Sequence, residues 1–507
     1  KAASSSRSTA HGRLFTSINR LLGRHRILPS PMKPKFTSKD FLWLSLALFV
    51  PLIIYVIRSV SPNDYWWYIR LGGEIAQTHA VPTIESYSYT QAGDPKINPS
   101  WLSALLFFWL NELGGITLTV FFGALVIGVT YTLLWLMMRE MKTAPLLIWV
   151  LIFFSILPGS MNWSMRPQLF TYPLFVWSLW VLWRWQHGKT RELWALPLIV
   201  LFWVNLHGSF ILAFVLAGSA FVFGTGDKKR LFYALILMTV AVFVNPRGFG
   251  AWTFVLFSMK NPSIQMFATE WMPPINEGWQ MNLFFAWTLF FMAAAGLSSR
   301  VLSTLEWVWI LGFGWLALSG LRYGIWFLFI LAPMSAWLLS KEEAPKMRAG
   351  LSSMNMLLGL LLLIFPLTLL PNIRDAWWMD ASPALSDETP VSAVQWLDAH
   401  PDLPDPIWAD LAFESYLIYA LPERPVWIDT RLEVYPPEDW QRYKAINAAA
   451  WNWQSLLDED EINILLLSNI SQSELLKAVN TSDIWCEIYA DEQAMIYARR
   501  GIGDFCE

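Results

Sequence analysis

The chain has 507 residues, 55% of them in the apolar and aromatic set and only 15% charged, with a formal net charge of −3. About a quarter of a soluble domain is charged, so the composition excludes an ordinary soluble protein, and the apolar content excludes disorder over most of the length. The charge is unevenly divided: residues 1–373 hold 28 Lys and Arg against 14 Asp and Glu, while residues 374–507 hold 8 against 25. No folded segment offers the concentrated basic face that nucleic acid needs, which leaves membrane lipid as the first partner.

Residues 1–39 form a basic segment with nine Lys and Arg, and Asp40 is the first acid. The segment lacks the apolar core of a cleaved secretory signal, so the first span is expected to act as its own signal. Leu14, Phe15, Ile18, Leu21 and Leu22 share one helical face opposite Arg13, Arg20 and Arg24. That pattern suits a helix lying on an anionic inner leaflet, with a basic tail or an organellar transit peptide as the alternatives.

Eleven apolar runs follow, at approximately 41–57, 116–138, 144–158, 168–186, 193–206, 209–224, 231–245, 283–298, 302–319, 323–340 and 350–371. The hydrocarbon core is roughly 30 Å thick, so the shorter runs are marginal and must borrow length from flanking residues or stop beside a water-filled cavity. Eleven crossings put 21 basic residues on the side of the N-terminus, including Lys341, Lys346 and Arg348, and seven on the other. The positive-inside rule then predicts a plasma (inner) membrane protein with its N-terminus cytoplasmic and residues 374–507 outside.

Residues 58–115 form a large first outer loop. Ser61-Pro62-Asn63-Asp64 before Tyr65-Trp66-Trp67-Tyr68-Ile69-Arg70 marks a helix start, with Asp64 either its cap or a catalytic group. The helix is expected to begin ending at Leu71-Gly72-Gly73, an extended stretch covers 81–90, and an amphipathic helix runs from Trp101 to about 113. Further outer turns carry Arg166, Asn205, His207, Asn245, Arg247, Glu270 and Arg322. Ionisable groups gathered at one membrane face point to a functional site, since each costs a few kcal/mol there unless paired or hydrated. A single arginine at a span end would merely snorkel to lipid phosphates, and His207 or the asparagines would merely cap turns. Trp66, Trp67, Trp101, Trp271 and Tyr323 either stack on sugar rings or belong to the interfacial aromatic belt.

From residue 374 the pattern is that of an acidic α/β domain. Strands are predicted at 407–409, 426–428, 462–467, 485–489 and 494–498, with helices at 391–399, 437–456 and 471–479. Asp410, Asp429, Arg431 and Glu433 lie near strand ends, where they form either a ligand edge or a structural Asp–Arg pair. Cys486 and Cys506 are the only cysteines, in a compartment that permits either a disulfide or two thiols.

The series Asp64-Tyr-Trp-Trp-x-x-Arg70-x-Gly72, Pro82-Thr-x-Glu-Ser-Tyr-Ser-Tyr-Thr90, Trp101-Leu102, Arg166-Pro-Gln, Asn205-Leu-His-Gly208, Asn245-Pro-Arg-Gly248, Glu270-Trp271 and Val426-Trp-Ile-Asp-Thr-Arg431-Leu-Glu-Val-Tyr435 resembles bacterial polytopic proteins related to the GT-C glycosyltransferase superfamily. The resemblance covers about 40–500. It implies an α-helical membrane domain over 40–373, a sugar donor on a polyprenyl phosphate or diphosphate, transfer at the outer leaflet and a first-loop carboxylate as base, matched here by Asp64. Some members hold a divalent metal through outer-loop acids, for which Asp64, Glu85 and Glu270 are the candidates, with no second Asp beside Asp64.

Displacement at an anomeric carbon needs a base near the acceptor hydroxyl and cations to hold the leaving phosphate. Arginine suits the second task through its two-pronged, permanently charged head. Arg166 and Arg247 are the first choices, with Arg322 and His207 behind them. No Ser-His-Asp order, Gly-rich phosphate loop or Cys/His metal spacing occurs. The alternative is a non-catalytic GT-C-like scaffold or assembly subunit with an unknown protein partner. A transporter is disfavoured because the spans carry almost no ionisable groups near the midplane.

Overall fold

The computed structural model of the chain describes residues 36–62, 64–340, 352–378, 384–501 and 506. The amphipathic reading of residues 13–24, Asn63, and the basic residues 341, 346 and 348 lie outside the described residues.

Each of the eleven apolar runs coincides with a helix. Among the described residues, six helices are long and apolar enough to cross a membrane: Ser38–Val56, Trp101–Glu140, Pro145–Asn162, Gly278–Leu297, Leu321–Leu339 and Ser352–Leu369. Others, such as Tyr172–Gln186 and Ala195–Leu206 with 15 and 12 residues, are shorter. They sit inside the bundle, and turns of 3₁₀ helix at Pro167–Thr171 and Arg191–Trp194 lengthen them. Leu289, Leu311 and Leu361 are exposed on the outer helices, as expected of an integral membrane protein whose apolar surface meets lipid.

Polar groups separate to the two ends of the bundle. Arg139 pairs with Asp40 at 2.8 Å, and Glu140 meets Arg184 and Lys189 at the same end of the helix that starts at Trp101. At the other end, Trp101 Nε1 donates to Asn205 Oδ1 at 2.9 Å, and Asn245 Nδ2 donates to the same oxygen at 3.1 Å. The two asparagines therefore staple helix ends.

The long helix breaks at Gly114–Gly115, where Gly115 has φ +60°, a conformation open to glycine. This junction separates the amphipathic helix from the span where the sequence pattern placed it. Gly72 behaves differently from expectation, because the helix Tyr65–Thr78 continues through it. A Cβ there would lie 2.2 Å from the Ala104 carbonyl oxygen, so glycine permits close helix packing and does not end the helix.

The C-terminal part contains a four-stranded sheet of order β1-β2-β4-β3, with β1 at Ile407–Ala409, β2 at Ile464–Ser468, β3 at Trp485–Ala490 and β4 at Ala494–Arg499. β1 runs parallel to β2, and the other pairings are antiparallel. Residues 426–428 are not a strand of this sheet. Val426 instead exchanges backbone hydrogen bonds with the first outer loop, donating to Tyr87 O and accepting from Tyr89 N. The helix expected over 437–456 is two, Pro437–Asn447 and Trp453–Glu459, parted where Ala449 has φ +49°. An additional helix, Leu411–Ala420, packs on the outer-loop helix that begins after Asp64. Trp67, Leu71, Ile75, Tyr87 and Ala104 share one hydrophobic core with Phe413, Leu417 and Val426. Cys486 and Cys506 form a disulfide.

Candidate functional site

Asp64 precedes the helix Tyr65–Thr78, yet its side chain caps no backbone group. It turns to two partners instead. Oδ2 lies 3.1 Å from Arg166 Nε, and Oδ1 accepts a 2.6 Å hydrogen bond from Thr430 Oγ1. Arg166 also meets Glu270, Nη1 to Oε2 at 2.9 Å, and Arg322 Nη1 meets the second Glu270 oxygen at 3.0 Å. Four ionisable side chains from four stretches of chain thus form the series Asp64, Arg166, Glu270, Arg322.

Local structure explains the placement. Arg166 is extended immediately before the 3₁₀ turn Pro167–Thr171, because a residue preceding proline avoids the helical region. Arg322 sits in the 3₁₀ turn Leu321–Tyr323, its guanidinium 5.0 Å from the Trp271 ring and its Nη2 3.4 Å from Gln168 Oε1. Burial works against the charge of Glu270, but Arg322 and then Arg166 outweigh it and hold the carboxyl below its ordinary range. Asp64 in turn strengthens the hold of Arg166 on its proton, against burial.

Arg166, Glu270 and Arg322 line a cavity of about 360 Å³ together with Tyr55, Arg58, Ser61, Asn162, Trp163 and Gln168. Arg58 is one of the seven outer basic residues but is not among the site candidates drawn from the sequence. Its Nη1 donates to the carbonyl oxygens of Ser160 and Trp163 at 2.8 and 3.4 Å, and it adds a third guanidinium to the wall. Its place directly after the first span was the only signal. Asp64 is not in the wall itself and reaches the cavity through Arg166.

Several predicted residues are elsewhere. Trp66 and Trp67 are buried, so neither presents a face to a sugar: Trp66 packs on Tyr416 and Tyr419, and Trp67 stacks on Tyr68. Arg247 hydrogen-bonds the Lys96 carbonyl at 2.7 Å beside a different, very small hollow. His207 Nδ1 accepts from Ser209 N at 3.1 Å, closing the turn before the next helix, and burial lowers its proton affinity. Glu85 is also spent. Buried at 2% exposure, it pairs with Arg431 at 2.6 Å and Lys96 at 3.3 Å.

These arrangements decide the fit of a divalent ion. Both oxygens of Asp64 and both of Glu270 already face hydroxyl or guanidinium donors. Among the described residues, no three His, Cys, Asp or Glu side chains are grouped to hold a metal. Asp64, Glu85 and Glu270 do not fit a shared ion; an arginine stands where two of them meet.

No family model matches the chain, and comparison with curated proteins finds no match. Solved structures do share its fold. The oligosaccharyltransferase AglB of Archaeoglobus fulgidus, in complex with an inhibitory peptide and a dolichol-phosphate, superposes with TM-score 0.54 at 14% identity over 92% of this chain and 74% of that one. The same organism's enzyme tethered to an acceptor peptide gives 0.52 at 14% identity, with the same coverage. The arabinofuranosyltransferase AftD from Mycobacteria gives 0.51 at 15% identity over 90% of this chain, which spans only 40% of that protein. This chain is similar to these two transferases in fold alone.

Proposed function

We propose, with the GT-C fold as premise, that this chain moves a sugar from a polyprenyl phosphate or diphosphate carrier to an acceptor at the outer face of the membrane. The observation that carries this reading is the ion pair between Asp64 and Arg166 at an arginine-lined cavity. The acceptor hydroxyl attacks the anomeric carbon and gives its proton to Asp64, while the bond from that carbon to the lipid phosphate oxygen breaks. Arg166, Arg322 and Arg58 would hold the departing phosphate, a task that favours fixed cations in a partly dehydrated hollow.

The outer location rests on the charge asymmetry of the loops and on the disulfide Cys486–Cys506, a bond favoured in oxidising compartments. All eleven helices matching the apolar runs are assigned as crossings in this reading.

The test is transfer from labelled polyprenyl-phosphate and polyprenyl-diphosphate sugars by the purified protein, wild type against Asp64→Asn. The expected result is a loss of at least about 100-fold in rate, the usual worth of a positioned base, with donor binding retained. Undiminished transfer by the variant removes Asp64 as the base. Failure of both proteins to bind either donor favours the scaffold reading.

A further inference from the structure

The acidic C-terminal part contributes a side chain to the centre of the site. Thr430 Oγ1 lies 2.6 Å from Asp64 Oδ1, joining positions 366 residues apart. The segment carrying Thr430 is tightly held. Arg431 N and Nε both donate to Asp429 Oδ1 at 2.8 Å, Tyr435 donates to Asp429 Oδ2 at 2.6 Å, and Arg431 reaches Glu85 in the first outer loop. The C-terminal helix Leu411–Ala420 meanwhile packs on the helix that Asp64 precedes, and Arg70 Nη1 donates to the Ile418 carbonyl at 2.9 Å.

We infer that Thr430 is a positioning residue for Asp64, so that the C-terminal part completes the catalytic centre. This rests on the reading of Asp64 as base. With Thr430 holding one carboxylate oxygen and Arg166 the other, the plane of the carboxylate is set, and with it the direction of the lone pairs left over. Without the hydroxyl, the ion pair with Arg166 still holds Asp64, and the carboxylate is free to turn about that contact. Small losses of alignment lower the rate of the chemical step more than the binding of substrate.

The experiment compares wild type, Thr430→Val and Thr430→Ser in transfer from the active labelled polyprenyl-linked donor, with melting temperature measured alongside. Valine keeps the shape and removes the hydroxyl; serine restores it. The expected result is a kcat about tenfold lower in T430V, the worth of one hydrogen bond, with KM for the donor and the melting temperature unchanged, and recovery of kcat in T430S. A T430V enzyme at wild-type kcat overturns the inference, and so does a T430S enzyme as slow as T430V. If D64N loses transfer while T430V does not, the positioning role alone falls. If D64N keeps wild-type transfer, or wild type transfers from no donor, the reading of the base falls and the inference with it.

Discussion

Arg431 grips Glu85 with two prongs, Nη1 to Oε2 at 2.6 Å and Nη2 to Oε1 at 3.1 Å, across 346 positions of sequence. Both side chains are almost completely buried, and Asp429 meets the same guanidinium from the other side. Lys96 lies 3.5 Å above the Tyr87 ring at the edge of this group. The outer loop and the C-terminal part are thereby joined by a neutral set of four charges, beside a shared apolar core.

Removing one partner of a buried pair strands the others, so Arg431→Met is expected to destabilise the protein by about 3–5 kcal/mol. Lys96→Met is expected to cost much less. Burial already presses the Lys96 ammonium down to about 8, with Arg431 adding to the effect, and methionine keeps the stem packed. Thermal unfolding in detergent, read as the shift in midpoint, separates the two variants.

Stability should fall on acidification, in part through Glu85. Burial alone would raise its affinity for a proton, but Arg431 and Lys96 outweigh burial and hold the folded carboxyl below 4.5. Between that lowered value and 4.5 the unfolded chain binds more protons than the folded one, so the stabilisation is present above this window and lost as pH falls through it. Glu85→Gln should give a shallower acid limb in a plot of melting midpoint against pH. Asp429 and Glu270 are lowered in the same direction and keep part of the slope.

Arg166 touches both acids of the site, and its replacement should show how much the fork matters. Arg166→Gln is expected to lower the transfer rate by roughly two orders of magnitude, comparable to removing a fixed electrostatic group from an active site. Arg166→Lys should recover only a fraction, because a single ammonium does not reproduce a planar head that meets two carboxylates at once. Rates with a saturating labelled donor decide it.

Gly72 and Gly73 make a paired test of helix packing. Gly72→Ala drives a methyl against the Ala104 backbone, at 2.2 Å from its oxygen, and should cost about 1–3 kcal/mol. Gly73→Ala meets only the Phe108 ring, nearest at 3.2 Å, which can swing aside. The second variant should melt close to wild type and the first well below it.

Orientation is testable at Trp451, which is 96% exposed in the C-terminal part. Trp451→Cys should react with a membrane-impermeant maleimide in intact cells. Arg230→Cys, at the opposite end of the bundle, should react only after permeabilisation. The native cysteines are paired and give no background.

The amino-acid order alone determined the apolar helices, the break before residue 116, all four strands of the C-terminal sheet, and the gathering of Asp64, Arg166, Glu270 and Arg322 at one end of the bundle, because hydropathy, loop charge and glycine are local signals. Tertiary structure alone decided which of the polar residues touch. Arg247 and His207 carry the same kind of chemistry as Arg322, yet a backbone carbonyl and a turn consume them. Trp66 and Trp67 looked like sugar platforms because aromatic residues near an interface have no local mark of burial; the helix Leu411–Ala420 covers Trp66. Thr430 and Arg58 have no local mark of a site role, for the converse reason. A hydroxyl or a guanidinium acquires a role from the group that the fold brings within 3 Å of it, and for Thr430 that group lies 366 residues away.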